Sequence, residues 1–262
     1  MTTLQPDFST VTETPFTRAT RDQLQIMYTR YHLAAQYGVG KDALEVACGA
    51  GTGVGLLARS ARHIVGGDID ERNYRIAAQT YKSRSNVEIK QIDAQELPFS
   101  DGSFDLVILY EAIYYIPSPE SFFREARRVL RSGGTLLLST VNCRWDEFNP
   151  SPFSLKYFDA AELSEALTRN GFVVEMRGGF LQESRGRLGA LINLIRRAAV
   201  RLRLVPRTMK GKEWLKRIFY GALKPIPAEL TPGVAVPAPL HILTPPYLAD
   251  HYRFIYAIGT RQ

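Results

Sequence analysis

The sequence predicts an α/β fold: a doubly wound, seven-stranded, mostly parallel sheet with an insertion before the last strand. Three observations predict it. Short β-rich apolar runs alternate with amphipathic stretches of about three turns, the pattern of βαβ units with right-handed crossovers. The run "FDLVILY", residues 104–110, is continuous enough for a central strand buried on both faces. Roughly seventy residues then separate the last two strand signals, too many for an ordinary connection.

Residues 1–19 read as a polar arm. A helix begins after Thr20, where "TRDQ" has the form of a capping box between Thr20 and Gln23, and it runs to the stop at Gly38 and Gly40. "DALEVACG" is a buried strand, followed by a glycine-rich loop and a short helix over 54–60. "HIVGGDID" is the second strand, with Asp70 as N-cap of a helix over 71–81. "VEIKQID" and "FDLVILY" are the third and fourth strands. In "SPESFFREARRVLRSGG", Ser118 is the cap, Pro119 the first helical residue, and Gly133 with Gly134 the stop. "TLLLSTV" is the fifth strand. "DAAELSEALTRNG" is a helix with a box between Asp159 and Glu162 and an ending at Asn170 and Gly171. "FVVEMRG" and "YRFIYAIGT" are the sixth and seventh strands. The chain thus reads as one domain, 1–262. Its core is 20–180 with 250–260, and 181–249 is a basic, proline-containing insertion.

Composition narrows the class. Hydrophobic residues make up 45% and charged residues 23%, so a packed globular chain is expected and not disorder. No run approaches the ~18 apolar residues of a membrane span, and the N-terminus lacks a signal-peptide pattern. Two cysteines, Cys48 and Cys143, suggest no disulfide framework, so the expected location is cytoplasmic. Between Arg185 and Arg217 eleven Lys and Arg face only Glu213, a local balance of +10; the rest of the chain carries −3 of the total +7. A surface that is acidic outside one segment argues against nucleic acid as the partner. In "RLGALINLIRRAAVRLRL", Leu188, Leu191, Ile192, Ile195, Ala199 and Leu202 form one helical stripe, with Arg196, Arg197, Arg201 and Arg203 off it. Three readings stay open: a core-facing helix with a solvated basic side, a peripheral membrane contact through 185–217, or a lid over an anionic acceptor.

The loop "ALEVACGAGTGVGLLA", residues 43–58, carries G-x-G-x-G-x-G from Gly49 to Gly55, with Glu45 four residues before it. Glycines at a strand-to-helix turn let a ligand approach the backbone. The dinucleotide fingerprint would need glycine at Val54 or Leu56, and a P-loop would need G-K-[ST]; neither is present. An acid at Glu45 repels a pyrophosphate and suits an ammonium group. Asp68, nineteen residues after Gly49 and ending the second strand, is placed for two ribose hydroxyls. Asp93, ending the third strand, can accept from an exocyclic amine, with the Ala94 amide beside it. An ammonium, a ribose and an adenine without phosphate describe S-adenosylmethionine (SAM).

The segments "LEVACGAGTG", "VGGDID", "IDAQELPFSDGSFDLVILYEAIYYI" and "EARRVLRSGGTLLLSTV" resemble successive motifs of the class I SAM-dependent methyltransferases of small-molecule type. The likeness covers about 20–180 and 250–260. It implies the Rossmann-like methyltransferase fold and methyl transfer to an oxygen or nitrogen of a small-molecule or lipid- or sugar-linked acceptor. It further implies that Glu45, Gly49 and Gly51 line the amino-acid end of the cofactor and that Asp68 holds the ribose. Ile69 would pack on adenine, Asp93 and Ala94 would define the adenine edge, and Tyr110 would lie beneath the sulfonium. Tyr28, on the N-terminal helix, would close over the cofactor or belong to the core. The chain departs from the pattern at Glu45, where Asp is common, and at Ala47, where Gly is common. Asp70 reads as a helix cap, Cys48 as a small buried residue, and Gly53 and Gly55 as close-packing positions.

Methyl transfer from a sulfonium is an in-line displacement, so the protein's main task is alignment, with proton removal from an amine or hydroxyl acceptor where needed. Candidates for that base are Glu111, Tyr114, Tyr115 and His32; Glu111 also reads, and somewhat better, as a structural or cofactor hydrogen-bonding carboxylate. "NCRWDEFNPSPFSLKYF" reads as a substrate-facing loop, with Trp145, Phe148 and Phe153 to stack on a ring and Arg196 to meet an anionic acceptor. No Cys/His spacing suggests a metal. Two other readings fit the same elements: a nicotinamide-dependent oxidoreductase, and a catalytically inactive cofactor-binding or membrane-surface protein.

Overall fold

The computed structural model describes residues 12–182 and 223–262. The basic stripe of the insertion, with Arg196 and the membrane contact expected of 185–217, lies outside the described residues. In chain order the elements are β1 (Arg18–Ala19), α1 (Arg21–Tyr37), β2 (Asp42–Val46), α2 (Val54–Leu57), β3 (His63–Asp68), α3 (Glu71–Tyr81), β4 (Val87–Gln91), β5 (Phe104–Tyr110) and α4 (Pro119–Val129). There follow β6 (Leu130–Val141), α5 (Ala160–Arg169), β7 (Phe172–Leu181), β8 (Lys224–Pro225), β9 (Leu240–Leu243) and β10 (Tyr252–Arg261). No helix among the described residues is long and apolar enough to cross a membrane.

Local chemistry accounts for most boundaries. The Thr20 hydroxyl accepts from the Gln23 amide at 3.1 Å while the Gln23 side chain accepts from the Thr20 amide at 2.9 Å, so both orphan donors of α1 are satisfied. Asp159 and Glu162 do the same for α5 at 2.9 and 3.0 Å. Asp70 caps α3 by accepting from the Arg72 amide. Ser118 makes no such capping bond; its hydroxyl meets that of Ser121, and α4 starts on the preset φ of Pro119. Gly133 and Gly134 do not stop α4, which ends at Val129. The chain passes directly into β6, Leu130 pairs with Phe104, and the register shifts before Thr135 pairs with Leu106. Gly133, at φ +73°, serves that irregularity.

The main sheet has eight strands in the order β4-β3-β2-β5-β6-β10-β7-β9, one more than the sequence predicts. Strands β4, β3, β2, β5 and β6 pair in parallel, and β10 runs antiparallel between β6 and β7. The extra strand, β9, pairs antiparallel with β7. It is a proline-free stretch between Pro239 and Pro245, and it lies at the sheet edge, where flanking prolines cost no ladder bond. A separate two-stranded ribbon joins β1 to β8.

Both faces of the sheet are covered. Leu106 and Ile108 of β5 pack with α1 and α2 residues such as Met27, Val54 and Leu57, while Val107 and Leu109 pack with Phe122, Phe123, Leu163 and Leu167 of α4 and α5. That two-sided burial explains the unbroken apolar run of "FDLVILY". The strand order reverses between β2 and β5, and the crevice outside the strands' carboxyl ends at that switch point is where ligands bind in open α/β sheets.

Ala47, at the end of β2, has φ +56°, the left-handed region in which a Cβ is strained. Its occupation explains why glycine is the common residue there. Ala47→Gly should raise stability by roughly 0.5–1 kcal/mol, read by thermal or urea denaturation, since relief of left-handed strain exceeds the entropy that glycine adds to the unfolded chain.

Candidate cofactor and acceptor site

Each of the four alternating glycines answers a different neighbour. A Cβ at Gly49, φ +57°, would lie 2.9 Å from Thr12 Cγ2, and Gly49 lines the main cavity. At Gly51 it would meet Ala77 of α3 at 2.9 Å, and at Gly53 two ring carbons of Tyr31 at 1.9 Å. At Gly55 it would meet the Glu229 carboxyl carbon at 2.1 Å. Gly51 therefore packs on α3 and does not line the cavity. Gly53 and Gly55 make room for side chains of α1 and of the segment that returns from the insertion. The loop is held from behind. The Tyr81 hydroxyl donates to the Gly51 carbonyl at 2.7 Å and accepts from the Gly55 amide at 3.0 Å. Arg84 donates to the Gly55 carbonyl and pairs with Glu229 through both terminal nitrogens, at 3.1 and 2.9 Å. The Leu230 amide donates to the Thr52 carbonyl at 2.8 Å.

Two of the acids around the loop, Glu45 and Asp68, are desolvated. Glu45 is 1% exposed; its Oε1 accepts from the Tyr31 hydroxyl at 2.5 Å, and its Oε2 is buried without a partner. Burial pushes its pKa up to about 7, against the Tyr31 bond and the Arg30 charge. Asp68 accepts from the Gly49 amide at 2.8 Å through Oδ2, and from the Asp70 amide at 2.9 Å through Oδ1. Burial raises its pKa too, opposed by those two backbone donors. Asp93 accepts from the Gln95 amide at 2.8 Å, a local turn that orients its carboxylate.

A cavity of about 970 Å³ spans the switch point. Gly49, Asp68, Ile69, Asp93 and Ala94 line it over the ends of β2, β3 and β4. Tyr110, Glu111, Tyr114, Tyr115 and Phe153 line it beyond β5 and β6, and α1 adds Met27, Arg30 and Tyr31. Glu111 has φ +54°; its carboxylate accepts from the Ser139 hydroxyl at 3.0 Å and from the Tyr114 hydroxyl at 3.5 Å. Burial raises its pKa, with Arg30 opposing.

Residues 44–138 match the methyltransferase domain family. This segment is a methyltransferase domain of the class I, SAM-dependent type. A probable S-adenosylmethionine-dependent methyltransferase of Mycolicibacterium smegmatis is 36% identical over 151 residues, 55% of this chain and 57% of that protein. A fatty-acid O-methyltransferase of the same organism is 38% identical over 120 residues, 44% of this chain and 43% of that protein. The match thus spans about half the length of these curated relatives, 57% of one and 43% of the other. In fold, the YcgJ protein of Bacillus subtilis superposes with a TM-score of 0.57 at 15% identity, covering 89% of this chain and 98% of that one.

The side chains of this methyltransferase domain suit SAM. Glu45 Oε2 is a buried acceptor lacking a donor, and once ionised it places a negative charge behind the loop that suits a cationic ligand group. Acids crowd the loop, and the two arginines of α1 and α3 nearest to it, Arg30 and Arg72, each pair with an acid, Glu13 and Asp70. Glu45 itself lies beneath the loop and does not line the cavity. Of the other expected residues, Tyr28 and His32 stack on each other at 5.7 Å away from the cavity, and the Tyr28 hydroxyl accepts from the Gly233 amide. His32 is bonded to Gln36. Trp145 donates to Gln182 beneath the Arg253 guanidinium, and Phe148 packs on Tyr157, so these two aromatics anchor their loop and only Phe153 reaches the cavity. Cys48 lines the cavity as a thiol whose pKa burial raises.

The cavity also takes in a residue, outside the matched segment 44–138, that no sequence motif marks. Arg30 is 5% exposed and lines the cavity. The signal was a lone arginine three residues after Met27 and four before Ala34, on the buried face of α1.

Proposed function

We propose that this chain is a SAM-dependent methyltransferase that moves a methyl group to an oxygen or nitrogen of a small-molecule or lipid-linked acceptor with a largely apolar body. The observation that carries the reading is one cavity lined both by Gly49, Asp68, Ile69, Asp93 and Ala94 and by Glu111, Tyr114 and Tyr115. Bound SAM supplies a methyl group already activated on a sulfonium. From beneath the loop, the Glu45 carboxylate would favour its ammonium group by charge; Asp68 would take the ribose hydroxyls, and Asp93 with the Ala94 amide the adenine edge. Glu111, at the end of the β5 strand where open sheets place their chemistry, would accept the proton of an acceptor hydroxyl or amine. Its raised pKa makes it the stronger base once ionised, and the Arg30 charge favours that ionised form. The ring faces of Tyr114 and Tyr115 and the partly exposed Phe153 and Leu155 give the acceptor end its apolar walls. The likeness to a fatty-acid O-methyltransferase is in keeping with such an acceptor.

Calorimetry with SAM and its demethylated product, S-adenosylhomocysteine, tests the reading. Both should bind, and Asp68→Ala should weaken them by roughly 1–3 kcal/mol, the scale for losing hydrogen bonds to a buried carboxylate. Tight NAD binding with no response to either sulfur compound would turn the reading to a nicotinamide oxidoreductase. Cofactor binding with no methyl transferred to a broad acceptor panel would turn it to an inactive binder.

A further inference from the structure

The buried guanidinium of Arg30 is only half used. Its Nη2 donates to Glu13 Oε2 at 3.0 Å, while its Nε is buried without a partner. An arginine offers five N–H donors in a planar fork, and the edge formed by Nε and Nη2 matches the two oxygens of a carboxylate. One bond at Nη2 leaves that edge incomplete. Glu111 stands close enough to act on Arg30 by charge, yet it takes its hydrogen bonds from Ser139 and Tyr114. Glu13 does not belong to the core. Its side chain is 41% exposed, against 6% for Arg30, and it sits on the arm before β1, where it lines the cavity beside Thr12. A carboxylate reaching a buried cation from a surface arm is placed as a ligand's carboxylate would be.

We propose that Arg30 is a carboxylate subsite of this cavity and that Glu13 is its tethered occupant, displaced when a ligand's carboxylate docks across Nε and Nη2. The proposal rests on the SAM reading for the identity of the cavity. The carboxylate has two sources, the amino-acid end of the cofactor or a carboxylic-acid acceptor. Because Glu13 is covalently attached, it competes at high effective concentration, and the chain lowers its own affinity for such ligands.

The test uses the full chain with Glu13→Gln, Arg30→Lys and the double variant, each checked by its melting temperature. Three probes are titrated: S-adenosylhomocysteine, 5′-methylthioadenosine, which lacks the amino-acid tail, and octanoate added to protein saturated with S-adenosylhomocysteine. Removing the competitor should tighten the carboxylate ligand roughly two- to fivefold, the span for one partly exposed ion pair, and leave 5′-methylthioadenosine unchanged. Arg30→Lys, lacking the fork, should weaken the same ligand and cancel the gain in the double variant. A gain for S-adenosylhomocysteine assigns the subsite to the cofactor; a gain for octanoate alone assigns it to the acceptor. No gain for either, or equal weakening of S-adenosylhomocysteine and 5′-methylthioadenosine in Glu13→Gln, overturns the proposal. Failure of the parent to bind either nucleoside would instead refute the SAM reading, and octanoate titrated alone would still decide the subsite.

Discussion

Affinity for S-adenosylhomocysteine should rise about eightfold between pH 6 and pH 7.5 in the parent protein and stay flat in Glu45→Gln, as a carboxyl with pKa near 7 ionises to meet an ammonium. Glu45 has lost water on folding, and its pKa is pushed up to about 7. Below that value the buried carboxyl is protonated, and the ligand's ammonium must first drive a proton off. Above it the carboxylate waits ionised and the dependence flattens. The ligand's own amino group titrates near pH 8, which is why the window closes at 7.5. The same shift has the opposite sign for folding. A carboxyl whose folded pKa lies above its ordinary value of 4.5 binds more protons folded than unfolded in that window. Its contribution is therefore present below pH 4.5 and lost as pH rises through 7. The ligand-free protein should lose up to roughly 3 kcal/mol from this group between those limits, and ligand should restore most of it. Calorimetry at four pH values, with melts alongside, reads both. A parent affinity that is flat from pH 6 to 7.5 would remove Glu45 from the ammonium site.

Gly53→Ala should be the most damaging glycine-to-alanine change among the described residues. Its Cβ would stand 1.9 Å from Cε1 and Cζ of the Tyr31 ring, so the ring must leave its place. That ring carries the hydroxyl that donates to Glu45 at 2.5 Å. Overpacking and loss of a hydrogen bond to a buried acid together should cost roughly 3 kcal/mol or more of stability. Cofactor affinity should fall at least tenfold, because Glu45 and the loop lose their common support, a loss of about 1.4 kcal/mol or more. Adding Tyr31→Ala to Gly53→Ala empties the clash. The double variant should regain part of the melting temperature and none of the affinity. Parent-like melting and binding in Gly53→Ala would show that Tyr31 has another place to go.

Much of the fold was legible because its signals are local. The capping boxes at Thr20 and Asp159 involve residues three apart, and each formed. The Gly133–Gly134 stop failed for a reason equally physical: two glycines after a helix read as an ending, but the register of β6 against β5 needed a positive φ at that place. The edge strand β9 was hidden among prolines, because its existence depends on an open edge of β7 that lies far away in sequence.

At the site, the sequence by itself determined the order of the acids. Glu45, Asp68 and Asp93 sit at or just after strand ends, and a parallel sheet carries such positions to one edge whatever else the chain does. Which neighbours those residues meet was decided only by the tertiary structure. The four glycines look alike in the sequence, yet Gly49 opens the cavity, Gly51 admits α3, Gly53 admits Tyr31 and Gly55 admits Glu229. The Arg84–Glu229 pair spans 145 residues, and Arg30 meets Glu13 only because the arm before α1 folds back over the cavity. Periodicity and caps are set by interactions within a few residues along the chain. Packing partners, burial and the pKa shifts they cause depend on which distant segments desolvate one another, and no local pattern encodes that.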